Sequence, residues 1–538
     1  MSEVTYRGNL SASSFPLVST YQGRSVIVGG PDQSYLRGYQ VPDGGLINEN
    51  DRGIPQILYG HNVIPSSEGL QSVTFSQLIG AIGGGAVADE IYPVYSPDIF
   101  GVTINSGVFI CVCNNVNAVY RLSFPAGVPT WTAVIVAGAN DIYTKKTTTA
   151  VVNGQSYFYF QGAANPYRLY DITSNTLALV VPTGVPISNV EGICAAFGYL
   201  VIWNGATVAW SSTVTPTDFT PSLITGAGSQ RIQDARGKIV FCYPHELGFI
   251  LMCRENCVGA VYSGNSRFPF VFKEISDAGG YIEPNLQAPH GLAASDQTAD
   301  QYYVYTTTGM QDMNIKRAQT ILTDVTDFLS GNLFEDFNTT TRVMTQTTIT
   351  TPKMVKRLAL IADRYLIISY GLTSYTHALV YDVQTKRLGK IKLAHVLCFE
   401  IKQQPNNGII NSPLPRNAIA FLTSTGAVQL VNFASALTAS PDSCLIVGKF
   451  QYSRQRMIQL QHIDLENVQT AATCDLYVWT SLNGKTPATV AIAATLDVTT
   501  ANLRTWRFHQ TGINHTLIFI GAFYGSSLVL KFNTAGRR

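Results

Sequence analysis

The chain has 538 residues, of which 46% are hydrophobic and only 13% charged, and its 36 basic and 34 acidic residues leave a formal net charge of +2. That length fits two or three domains or one large β architecture, and the charge balance excludes the basic excess from which nucleic-acid binders draw counterion-release affinity. A charged share about half that of an ordinary soluble domain predicts a neutral polar surface and burial between subunits.

The first 100 residues are rich in Gly, Pro, Asn and Ser with few periodic stretches, and predict an extended arm with short strands. The opening MSEVTYRGNLSASSFPLV lacks the basic-then-apolar pattern of a secretory signal. No apolar run approaches the roughly 20 residues of a membrane helix. The expectation is a protein made in the cytoplasm and not exported by a signal of its own. Within this region Gly80, Gly83, Gly84 and Gly85 form a glycine-rich stretch without the Lys-Ser/Thr of a phosphate loop, so no nucleotide cofactor is expected there.

From about residue 100, runs of Val, Ile, Phe, Tyr and Thr are punctuated by Gly, Asn and Pro, the texture of antiparallel hairpins. Seven similar units follow one another: 107–124, 156–180, 198–212 (turning at Asn204-Gly205), 238–264, 301–315, 364–391 and 417–433 (turning at Thr425-Gly426). Each is too small to bury its own faces, so the units must stack. The fold class is all-β: a β-propeller of six or seven blades over 101–315 and 357–440, with a set of β-sandwiches as the alternative. Residues 316–356 read as an insertion between blades. Ile321, Val325 and Phe328, spaced three to four apart, predict a short helix there, and a Thr-rich run follows. After about 440 the strands lengthen, and 441–538 predicts a C-terminal β-sandwich-like domain.

Chemistry-bearing patterns are few. Nine cysteines at 111, 113, 194, 242, 253, 257, 398, 444 and 474 have neither the even count nor the spacing of a disulfide framework, and no metal-ligand spacing; they predict buried free thiols, Cys111 and Cys113 on one face of a strand. The eight histidines are dispersed; His509 and His515 are the nearest pair, with Gly512 between and no carboxylate close in sequence. No Gly-x-Ser-x-Gly elbow occurs. SLNGKT (481–486) is a distant echo of the sialidase turn repeat, with Asn483 in place of its Asp and one copy only. Asp363, Asp382 and Glu400 are candidate carboxylates for a glycosidase. No catalytic, cofactor-binding or metal site is assigned, and the chain is not expected to be an enzyme.

Two stretches resemble a known family. YGHNVIPSSEGLQSVTF (59–75) and the run from Ala209 to Gly280, with its W-S-x-x-x-x-P-x-D-F turn, Gly-rich link and closing Gly-Gly, are similar to the tail nozzle (tail hub) proteins of short-tailed bacteriophages, as are VTDFLSGNLFEDF (325–337) and SLNGKT. The resemblance implies a structural virion protein at the distal tail: a ring of copies, usually six, that retains the genome and then serves as its ejection conduit. Its implied partners are the tail adaptor below the portal, fibre or spike proteins, a plug or needle, and genomic DNA passing unbound through the lumen. Loops 78–88 and 338–352 would be gate or contact elements. The alternative is a propeller-type adhesin or glycan-binding module, which aromatics gathered on one loop face would mark; a propeller glycosidase is the third reading.

Overall fold

The computed structural model describes residues 3–10, 17–21, 24–28, 57–97, 103–113, 116, 118–123, 130–136, 147–160, 167–171, 176–280, 293–294, 302–322, 325, 328–329, 331–351, 353–361, 364–401, 418–433, 442–451, 456–466, 474–481, 491–499 and 503–537. The architecture is all-β, built from several small antiparallel sheets and broadly of propeller type.

Among the described residues five four-stranded antiparallel meanders form sheets of their own, and two further four-stranded meanders are joined into one ten-stranded sheet through the short strand Val63–Pro65. The first comprises Glu90–Pro97, Thr103–Cys113, Ala118–Ser123 and Thr130–Val136. The second is Thr147–Val152, Gln155–Phe160, Tyr167–Asp171 and Thr176–Val180. The third is Gly192–Ala196, Tyr199–Asn204, Thr207–Trp210 and Gly228–Arg231. The fourth is Ile239–His245, Gly248–Cys253, Cys257–Asn265 and Phe268–Glu274. Ala293–Ala294, Tyr302–Thr306, Gly309–Met313 and Ala318–Leu322 form the fifth, and Met354–Ile361, Tyr365–Gly371, Tyr375–Asp382 and Arg387–His395 the sixth. The seventh takes three strands from late in the chain (Leu397–Ile401, Ala418–Leu422, Val428–Phe433) and its outer strand, Leu70–Ile79, from near the start.

Period-two sequences make these strands, and burial on both faces joins them. The same meander contributes to one apolar cluster on each side: Val119 and Tyr92 of the first meet Phe158 and Tyr170 of the second, while Cys111, Cys113 and Leu122 of the first meet Leu397, Leu422 and Val428 of the seventh. Clusters of this kind lie between the second and third meanders, third and fourth, fourth and fifth, fifth and sixth, and sixth and seventh. First strands pack beside first strands, as Gly192–Ala196 does between Thr147–Val152 and Ile239–His245.

Two further sheets enclose a separate core around Trp506, Phe519, Leu460 and Leu530. One runs Glu3–Asn9, Ser527–Arg537, Arg456–Glu466, Leu503–Gly512, Thr495–Thr499, and the other Ile492–Ala493, Cys474–Ser481, Asn514–Gly521, Cys444–Gln451, Ile57–His61. A hairpin, Leu333–Asn338 with Val343–Thr348, sits between this region and the sixth meander through Phe337 and Phe334.

Two expectations change. Residues 57–97, expected in an extended arm, supply strands to three sheets, and two of these strands, Ile57–His61 and Leu70–Ile79, find partners only far along the chain. The expected insertion begins later than 316: Ile321 is in strand Ala318–Leu322, paired with Gly309–Met313, and the backbone is helical at Val325, Phe328 and Leu329, whose side chains are buried. The nine cysteines are free and buried, with Cys111 and Cys113 facing the same cluster.

Candidate binding surface

In a four-stranded meander the first and third connections emerge at one end and the second at the other. At the first-and-third end of the third and fourth meanders, apolar side chains gather in the open. Phe197 occupies the turn after Gly192–Ala196, Leu247 the corresponding turn of the fourth meander, and Tyr262 and Phe268 flank the turn between that meander's last two strands. Their exposures are 44%, 41%, 36% and 57%. Leu223 and Ile224, in the long link before Gly228–Arg231, are exposed beside them, Ile224 almost completely.

The arrangement is anchored from beneath. Phe249 packs edge-on to Phe270 at 4.8 Å, Phe270 to Tyr262 at 5.9 Å, and Phe197 lies flat on Tyr262 at 4.5 Å with 13° between planes. An aromatic column thus rises from the cluster shared by the two meanders to a stacked pair at the surface, a geometry in the favoured range for aromatic contacts. The Tyr262 amide donates to Leu247 O at 2.7 Å, which fixes the backbone under the pair.

Phe197 is held in an unusual backbone conformation. Its φ is 50° and that of Gly198 is 78°, and the same two angles recur at Asn153 and Gly154 in the second meander. Positive φ at both central residues is the type I′ hairpin turn, which favours Asn-Gly. Asn bears this conformation easily because its short polar side chain bonds locally, whereas a bulky residue is strained there. The second meander uses the unstrained residue; the third places an exposed phenylalanine in its stead.

The rim is mostly neutral. Ser263 accepts from the Asn265 amide at 3.1 Å and donates to Phe268 O, and Asn265 Oδ1 accepts from the Arg267 amide at 2.9 Å. Arg267 lies 5.4 Å over the Phe268 ring. Asn153 reaches the Thr213 carbonyl at 3.4 Å, which ties the neighbouring turn to the long link. Within that link Ser212 Oγ accepts from the Val214 and Thr215 amides, and Asp218 Oδ1 from Thr220 N and Thr183 Oγ1. These bonds, the Thr220 amide foremost, hold the Asp218 carboxyl below the usual carboxylate range.

Residues singled out in the sequence are placed elsewhere. Asp382 is buried and fully engaged with Arg364 and its own turn; Asp363 and the Glu400 side chain lie outside the described residues, as does Asn483. His515 is buried between Thr480 and Ile458 O, while His509 is exposed. Among the described residues no group of three or more His, Cys, Asp or Glu is placed to hold a metal. The 78–88 loop is fastened at both ends, Ile82 N to Thr425 O and Ala88 N to Ser424 O, each at 2.8 Å. The sequence reading did not single out Phe197. Its signal was present: Phe-Gly between two strands where the preceding unit has Asn-Gly.

No family model matches the chain, and no curated protein matches it. Solved structures that resemble it include the extracellular domain of a hybrid two-component system from B. thetaiotaomicron, at 10% identity over 76% of this chain and 43% of that one, TM-score 0.34. This chain therefore spans less than half of that domain. YCF48 from Cyanidioschyzon merolae is 12% identical over 66% of this chain and 98% of that one, TM-score 0.38. A chain of the mitotic checkpoint complex is 10% identical over 66% and 97%, TM-score 0.32. These are an extracellular domain and cellular proteins, and none is a component of a virion.

The expected kinship with phage tail nozzle proteins is accordingly withdrawn, together with the virion and tail location, the host-cytoplasm origin and the role in genome retention and ejection. The tail adaptor, fibre, plug and lumenal DNA were implied by that kinship alone. The motif that carried it has a local cause. In the W-S-x-x-x-x-P-x-D-F run, Trp210 Nε1 donates to Gly226 O at 2.7 Å, Ser211 Oγ accepts from Leu200 N at 2.8 Å, and Ser212 and Asp218 organise the turns of one long link. It is turn chemistry, open to any meander with a long third connection.

Proposed function

We propose that the chain is a non-catalytic binding module, a ring of seven four-stranded blades with an attached β-sandwich, that presents the Phe197–Tyr262 pair to a neutral glycan. The ring reading is supported by the cyclic order of the apolar clusters, in which the seventh meander packs on the first, and by the N-terminal strand that completes the seventh. Such a ring leaves few free strand edges and makes a stiff platform for loops at its ends.

The observation that carries the binding reading is Phe197 itself. An exposed aromatic held at φ 50° costs stability of about 1 kcal/mol relative to Asn, and strained residues gather where function needs them. Aromatic rings accept the C–H faces of pyranoses, and a rim of Thr213, Ser263 and Asn265 offers hydroxyls and amides to sugar oxygens without a strong field. A charged ligand would require more than Glu246 and Arg267 at this rim.

The test is a glycan array followed by calorimetric titration of the best hit against the wild type, Phe197→Asn and Tyr262→Ala. Binding by the wild type and its loss in both variants is expected. Phe197→Asn should at the same time raise unfolding stability by about 1 kcal/mol, because it relieves the turn. Undiminished affinity in both variants, or no glycan bound at all, would remove the reading.

A further inference from the structure

Where the sixth meander, the 333–348 hairpin and strand Ile57–His61 meet, buried side chains carry polar atoms that make no hydrogen bond, although His61 and His377 lie 3.8 and 3.9 Å from the Asp442 and Asp336 carboxylates. Tyr59, His61, Tyr370 and His377 are 3%, 0%, 2% and 2% exposed. Among the described residues Tyr59 Oη, Tyr370 Oη, both ring nitrogens of His61 and Nε2 of His377 make no hydrogen bond. Buried polar atoms are hydrogen-bonded in the great majority of cases, and a concentration of orphans needs an explanation.

Tyr59 and Tyr370 line one small, partly open cavity of about 20 Å³, together with Glu335, Lys353 and Lys390. That is room for a single water-sized particle. Its charges do not balance, since two ammonium groups face one carboxylate. Lys353 is held by neutral acceptors, the Phe328 and Gly331 carbonyls at 2.7 and 2.8 Å. Lys390 lies 4.6 Å from the Tyr59 ring centre and 6.0 Å from that of Tyr370, and forms no salt bridge among the described residues. The nearby Asp336 is already engaged by Lys392 at 2.7 Å.

We infer that this cavity binds one monatomic anion of chloride size, with the Tyr59 and Tyr370 hydroxyls as donors and Lys390 as countercharge. The ion would satisfy two orphan hydroxyls and balance the surplus cation in one step, whereas a water would satisfy the hydroxyls and leave the charge. Burial pulls both Lys353 and Lys390 down to about 8, and the opposing pull of Glu335 on both, with Asp336 on Lys390, does not offset it. The site is remote in sequence from the aromatic pair and stands apart from the glycan reading.

Thermal unfolding of the full chain at constant ionic strength, with sodium gluconate exchanged for sodium chloride and then bromide, tests the inference. A saturable rise in Tm with either halide is expected, as for any ligand that binds the folded state alone. Tyr370→Phe should lose that rise while its Tm in gluconate stays at or above the wild-type value. A bromide soak of crystals should place an anomalous peak within hydrogen-bonding distance of both hydroxyls. Indifference of the wild type to the anion, an unchanged halide response in both Tyr370→Phe and Tyr59→Phe, or a soaked crystal with no peak there would each overturn the site and leave the cavity to water.

Discussion

Three histidines are buried where a positive charge is poorly tolerated. Burial lowers His377 to about 2, reinforced by Lys390 and Lys392, and lowers His515 to about 4 against the opposing bond to the Ile458 carbonyl. Burial also lowers His61. An unfolded histidine titrates near 6.5, so below that pH the unfolded chain takes up protons that the folded chain refuses. Stability is then independent of these groups above about pH 7 and falls as pH drops through 6.5 towards the folded values. The slope approaches about 1.4 kcal/mol per pH unit for each histidine that stays neutral. Urea midpoints measured between pH 7.5 and 5 should therefore decline steadily, well above the carboxylate range. His377→Phe should flatten that decline by one proton's worth, and an unchanged slope would place its folded value near 6.5.

At the scale of the hairpin, Asp382 shows how much one carboxylate can organise. Its Oδ1 accepts from the Gln384 and Thr385 amides at 3.0 and 3.2 Å, and its Oδ2 from Arg364 at 2.7 and 3.1 Å. Burial would raise its pKa, but the Arg364 and Thr385 bonds more than offset this and the net shift is downward. Asp382→Ala would strand a partly buried guanidinium and two amides, at a cost of about 3 kcal/mol, read from denaturant unfolding; a loss below about 1 kcal/mol would mean that Arg364 finds water instead. The turn was legible as ALVYDVQTKRLGKI, and so were all seven units, because strand–turn–strand patterning is local. The aromatic pair was less so. Phe197 and Tyr262 lie in different meanders, and their meeting depends on how two sheets stack. The orphaned tyrosines 59 and 370 are more distant still, and nothing near either in sequence reports the other.

For the whole molecule the decisive pairings join the two ends of the chain. Glu3–Asn9 pairs with Ser527–Arg537, Ile57–His61 with Cys444–Gln451, and Leu70–Ile79 with Val428–Phe433. Ser72 also ties Leu70–Ile79 to the C-terminal region by exchanging hydrogen bonds with the Phe523 backbone at 3.0 and 2.8 Å. Pairings across several hundred residues leave no periodic trace, which is why the first hundred residues read as an arm. They also place the seventh meander under the control of a strand made first and paired late, a topology that folds slowly. Val73 in that strand is fully buried against Phe421 and Val431, and Val73→Ala should cost about 1–2 kcal/mol. Hydrogen exchange decides what the loss means. If the seven meanders are closed into a ring, protection should fall by the same amount from the first meander to the seventh, since opening one joint opens the whole. If they are an open stack of neighbours, the loss should be confined to 397–433 and its two flanking meanders, and the third and fourth would keep their protection.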